Sequence, residues 1–154
     1  MADLAQFLDR SRRIVADNRY LTLATADREG RPWATPVWFA AEGLHTFCWV
    51  SRPGARHSLN ITVQPRVAFV VYDSTVLSSD GAAVYVEAEA AEVTADERAA
   101  VLAVYNRRSV AQGMAEWTDE SVTGPAQFRL YRAIATKVYV LDDHDRRVLV
   151  SPPG

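Results

Sequence analysis

A chain of 154 residues fits one domain with a sizeable core. Hydrophobic residues make up 49% and charged residues 23%, which argues against a disordered chain, and 17 basic against 19 acidic residues leave a charge of −2, no footprint for nucleic acid. Cys48 is the only cysteine, no apolar run approaches the roughly 20 residues of a membrane helix, and the amino-terminal stretch lacks the apolar region of a secretory signal. The expectation is a soluble, cytoplasmic protein without intramolecular disulfide or membrane contact.

Residues 3–18 have the spacing of an amphipathic helix. Leu4, Phe7, Leu8, Ile14 and Val15 fall broadly on one face, and Asp9, Arg10, Arg12 and Arg13 on the other. Asp3 with Gln6 forms a candidate capping pair, and Asn18 is a helix stop. Three strands follow at 20–27, 33–41 and 44–51, joined by glycine-bearing turns at Arg28-Glu29-Gly30 and Glu42-Gly43. Connections this short make an antiparallel meander.

A short helix is expected over 55–63, ended at Gln64-Pro65 because proline turns its predecessor away from the helical region. Val67 to Tyr72 is almost continuously apolar, the pattern of a strand buried on both faces. Asp73 to Gly81 reads as a loop. Beyond it, Val84, Val86, Ala88 and Ala90 alternate with Tyr85, Glu87, Glu89 and Ala91, as in a long half-exposed strand. Thr94 and Glu97 match a capping box that opens a helix to Ala111 or Gln112, with Gly113 as its stop.

After a loop at 114–125, the segment 127–142 is too long for one flat strand and should bend near Ala133–Thr136. Asp142 to Asp145 form a turn, and 147–150 pair back briefly before the Pro-Pro-Gly tail. The sum is a single domain over 1–154 with about six main strands and three helices, a small antiparallel β-barrel of the α+β kind.

Few chemistries have residues to carry them. His45, His57 and His144 are scattered, without cysteine or carboxylate at metal-ligand spacing, so no metal site is expected. There is no G-x-S-x-G elbow and no G-x-G-x-x-G. Cys48, in mid-strand, reads as a buried structural thiol. Asn60-Ile61-Thr62 has the pattern of a glycosylation site, of no consequence in a cytoplasmic protein. The segment Ser51 to Ser58 offers more. It places hydroxyls, Arg52, Arg56 and His57 where a strand gives way to the first turn of a helix, and free N–H groups there suit a phosphate.

Around that segment the chain runs Ala34-Thr35-Pro36-Val37-Trp38, then Phe47-Cys48-Trp49-Val50-Ser51, then Arg56-His57-Ser58-Leu59-Asn60-Ile61, then Gln64-Pro65-Arg66-Val67, and later Leu130-Tyr131-Arg132-Ala133. This order resembles the pyridoxamine 5'-phosphate oxidase-like family of flavin-binding split barrels over nearly the whole chain. The resemblance implies a six-stranded antiparallel split β-barrel with flanking helices. It implies a homodimer that binds FMN between subunits and transfers hydride to or from a small conjugated substrate. The cofactor-binding residues it implies are Thr35, Pro36, Val37, Trp38, Trp49, Ser51, Arg56 and His57; no catalytic side chain is identified. Relatives on the same fold imply two alternatives, a reductase using the deazaflavin coenzyme F-420 and a non-catalytic flavin- or haem-binding module. Three positions depart from the family's pattern: His57 replaces a lysine, Ala55 a small polar residue and Ala83 an amide. The arginine and histidine that hold the vitamer in the oxidase proper have no clear counterpart.

Overall fold

The computed structural model describes residues 3–150; the tail at 152–154 lies outside them. Helix α1 (Leu4–Asp17) begins at Asp3, whose carboxylate accepts from the Ala5 N–H at 3.4 Å. The helix ends at Asn18, whose side-chain amide donates to the Ile14 carbonyl at 2.8 Å. Its apolar face, with Ile14 and Val15 buried and Phe7 and Leu8 partly so, covers the barrel core.

Strands β1 (Tyr20–Ala26) and β2 (Pro32–Trp38) form a hairpin in which Gly30 supplies a positive φ of 79°. The apolar run expected as one strand over 33–41 then breaks at Phe39, and β3 (Ala40–Glu42) begins. The remaining elements are β4 (Thr46–Ser51), α2 (Arg56–Val63), β5 (Arg66–Tyr72), β6 (Ala83–Glu92), α3 (Arg98–Ala111), β7 (Arg129–Leu141) and β8 (Arg147–Leu149). Eight strands therefore replace the expected six main ones, the added pieces being β3 and β8.

The break at Phe39 explains the barrel. Strands lie in the order β2-β1-β5-β6-β7-β4-β3, with β8 paired to β7, so the two free edges of the sheet are successive pieces of chain. One residue carries the backbone from one edge to the other. The sheet must curl until its edges meet, yet the edges do not pair, which makes the barrel split. Phe39 is fully buried at that junction, its ring 6.0 Å from Phe47 and 4.6 Å from the Arg108 guanidinium.

Within this one chain β5 is covered on one face: Val67, Phe69 and Val71 are buried, Ala68 and Tyr72 exposed and Val70 half-buried. The strand covered on both faces is β4: Phe47 and Trp49 enter the barrel core, while Cys48 joins a second cluster with Val101, Leu102, Tyr105 and Leu130. One local expectation is corrected, the capping box at Thr94. Its hydroxyl donates to the Asp96 carboxylate at 2.6 Å, and α3 starts later, at Arg98, with no side-chain cap. The helix stop does form: Gly113, at φ 78°, and Met114 donate back to Val110 and Ser109, both at 2.9 Å.

The bend of β7 has a bulge at its centre. Lys137 pairs with Glu87 and Ala135 with Ala88, leaving Thr136 as the extra residue, its hydroxyl donating to the Glu87 carbonyl at 3.0 Å. Among the described residues, no helix is long and apolar enough to cross a membrane.

Candidate functional site

Helix α2 starts without a side-chain cap, because Ala55 at the N-cap position carries no oxygen to offer. The N–H groups of Arg56, His57 and Ser58 open the helix, where the dipole favours an anion. The helix is fixed on the barrel by a buried pair: Asn60 Nδ2 donates to Thr25 Oγ1 of β1 at 3.0 Å. Asn60 is thus a docking residue, 5% exposed, and not an accessible glycosylation acceptor.

The basic pair points two ways. Arg56 is exposed, lies 4.4 Å from the Trp33 ring and makes no hydrogen bond or ion pair among the described residues. His57 turns inward, 9% exposed, with Nε2 at 2.8 Å from the Ser51 hydroxyl. Burial lowers its pKa from the ordinary histidine value, so the neutral ring is favoured. A helix turns its successive residues to different faces, and this one meets the barrel. Arg52 is engaged elsewhere, donating to Gln127 at 2.8 Å and lying over Phe128 at 5.0 Å.

Among the described residues, Trp49 Nε1 in β4 is buried without a hydrogen-bond partner, and Ser58 Oγ in the first turn of α2 is buried beside Tyr131. Unmet donors are rare in native interiors. The free helix start and the Arg56 edge, unpaired among the described residues, fit a phosphate-bearing ligand.

The other candidates separate. Pro36 is exposed and Thr35 half-buried on edge strand β2, while Val37 is buried. Trp38 is held against α3, its ring 5.0 Å from Tyr105 and its Nε1 donating to Gln112 at 2.9 Å. Trp49 is fully buried and stacked on Tyr131 at 6.2 Å. Neither indole offers an open face at the start of α2. Trp33 does, beside its strand neighbour Thr25 and under Arg56 of the helix, residues that no local sequence pattern joins.

The outer face of the sheet is a second feature. Registers place Pro36, Thr22, Val70, Tyr85 and Tyr139 in one row across the strands, and Ala34, Ala24, Ala68, Glu87 and Lys137 in the next. A largely apolar groove of about 500 Å³ runs over Ala24, Ala68, Val70, Tyr85 and Tyr139.

Pyridoxamine 5'-phosphate oxidase is the family whose description matches residues 7–142. The chain belongs to that family. Its fold is similar to a haem-binding protein from Mycobacterium smegmatis, at TM-score 0.75 and 21% identity, covering 98% of this chain and 59% of that one. It is similar to HutZ, the haem storage protein from Vibrio cholerae, at TM-score 0.63 and 22% identity over 82% and 89% of the two chains. A protein of the pyridoxinephosphate oxidase family from Clostridium acetobutylicum, related to general stress protein 26 of B. subtilis, gives TM-score 0.68 and 12% identity over 97% and 96%. At these identities the likeness is one of fold, and the chain spans only 59% of the length of the Mycobacterium smegmatis protein. No curated protein compared with the chain matches it.

Proposed function

We propose that this chain is an FMN-binding oxidoreductase that works as a homodimer, with the cofactor phosphate held at the start of α2. The observation that carries the reading is Arg56, whose hydrogen-bonding edge is free beside an uncapped helix N-terminus. Arg56 and the N–H groups of 56–58 bind the phosphate. Edge strand β2 flanks the ring system with Thr35, half-buried, on one face and Pro36, exposed, on the other. Val37, Trp38, Trp49, Ser51 and His57 support these groups from within the barrel wall and its helices. When bound, FMN supplies hydride transfer to or from a small conjugated substrate. The protein's part is to hold the ring and exclude water, and no side-chain acid or base is assigned.

The homodimer draws support from the outer sheet face, where Ala24, Ala68, Val70, Tyr85 and Tyr139 form an apolar groove suited to a second copy. Two such faces packed together would enclose a cleft for the ring. Sedimentation at micromolar concentration should give twice the 17.1 kDa chain mass; a monomer would remove the partner's share of the site.

The deazaflavin reading has one observation in its favour. With His57 buried and its neutral form favoured, a single side-chain cation serves the phosphate, a departure from the pattern the FMN resemblance implies. Haem finds less support in this chain, because Nε2 of the histidine nearest the site is engaged with Ser51.

Titration with FMN, riboflavin, coenzyme F-420 and haemin decides between them, followed by tryptophan fluorescence and visible absorbance. FMN should bind more tightly than riboflavin, and Arg56→Ala should weaken FMN by about 1.5–3 kcal/mol, roughly one to two powers of ten. Tighter binding of F-420 would make the chain a deazaflavin reductase. A haem spectrum without flavin binding would make it a haem carrier.

A further inference from the structure

We propose that Trp33 is a positioning residue for the phosphate-binding guanidinium: its indole face holds Arg56 so that the hydrogen-bonding edge stays open to the ligand. The inference rests on the reading of α2 as the phosphate site and extends that site to the start of β2.

The five N–H donors of a guanidinium lie in its plane. An aromatic ring that covers the face leaves those donors free at the edge. Arg56 is in that condition: its guanidinium carbon lies 4.4 Å from the Trp33 ring centroid, and no carboxylate or carbonyl takes its protons among the described residues. Arg52 is the contrast, since it lies over Phe128 but has already given an N–H to Gln127. An unheld arginine surrenders its rotamer freedom when it closes on a phosphate, and a stacked one has surrendered much of it beforehand.

The stack has a fixed footing. Trp33 pairs with Thr25 across the β1–β2 hairpin, and Thr25 accepts the buried hydrogen bond from Asn60. Asn60 lies four residues beyond Arg56, so the two occupy one face of α2. Helix and hairpin are therefore tied twice on that face, by Asn60–Thr25 in the interior and by Arg56–Trp33 at the surface. Trp33 is 39% exposed and thus at the rim of the site and not in the core.

The test measures FMN and riboflavin affinities in Trp33→Leu, Trp33→Phe, Arg56→Ala and the Arg56→Ala/Trp33→Leu double variant. Trp33→Leu should weaken FMN roughly two- to fivefold, leave riboflavin unchanged, and add nothing in the Arg56→Ala background. Trp33→Phe, which keeps an aromatic face, should recover most of the loss. Should Trp33→Leu fold poorly, the strand-favouring Trp33→Thr serves the same comparison. An equal loss for riboflavin, or a further loss in the double variant, would show that Trp33 acts independently of Arg56 and overturn the proposal. Wild-type FMN affinity in Trp33→Leu, with Arg56→Ala weakened, would overturn it while leaving the phosphate site standing. Unchanged affinity in Arg56→Ala would sink the phosphate site itself, and this inference with it.

Discussion

His57 Nε2 lies 2.8 Å from the Ser51 hydroxyl, and this contact turns one half of a basic pair into the barrel wall. Arg56, one residue earlier, remains outside over Trp33. The pair therefore divides: one member stands exposed at the helix start, and the other packs that start against the barrel.

Acid should reveal the buried member. Burial lowers the pKa of His57 in the folded state, so the unfolded chain takes up its proton first as pH falls. Stability should be full above the ordinary histidine value of about 6.5 and decline from there toward the lowered folded value. His57→Gln should flatten that part of the urea-midpoint profile. His57→Lys should cost about 1–3 kcal/mol, because an ammonium would replace a buried ring. A lysine variant as stable as the wild type would mean that the side chain reaches solvent.

Asn60→Ala leaves the Thr25 hydroxyl buried without its donor, and should destabilise the fold by about 1–3 kcal/mol. Combining Asn60→Leu with Thr25→Val removes both polar groups and should cost less than the sum of the two singles. Urea denaturation of the four proteins in that cycle measures the coupling. Additive losses would show that the two side chains do not depend on each other.

Cys48 should be chemically silent. The thiol is fully buried in mid-strand, and burial pushes its pKa up to about 12. A disulfide reagent at pH 8 should leave the native protein unmodified for as long as it stays folded and titrate one thiol in denaturant. Rapid labelling of native protein would place Cys48 in contact with solvent.

Val70→Glu tests the outer sheet face. The residue is half-buried between Thr22 and Tyr85 in the apolar row, so a carboxylate there should leave the barrel folded. Brought against a second copy, two such charges would be desolvated without partners. Sedimentation should show the dimer falling apart while circular dichroism stays unchanged. A dimer of undiminished affinity would move the interface to another face.

Much of the fold was legible in the sequence because its causes are local. Alternation in 84–91 gave β6 its inward and outward faces, Gly30 and Gly113 marked positions with positive φ, and the length of 127–142 required the bend that Thr136 provides. The order of strand, basic helix start and strand was legible as well, and with it the family. What local pattern could not tell is which apolar run is covered twice. Residues 67–72 read as a doubly buried strand, yet within the chain it is β4 that is covered twice, because α3 packs over its outer side, while β5 alternates buried and open residues.

The same limit governs the site. Sequence placed Arg56 and His57 at the opening of a helix, a consequence of nearby residues and of the proline that ends it. Only the tertiary structure sent His57 inward to Ser51 and brought Arg56 onto Trp33, a residue 23 positions earlier in the chain. Helical geometry separates neighbouring side chains around the axis, but which of them meets the barrel depends on how the helix docks. Asn60 and Thr25 hold that docking, and side chains 35 positions apart are neighbours only in the folded chain.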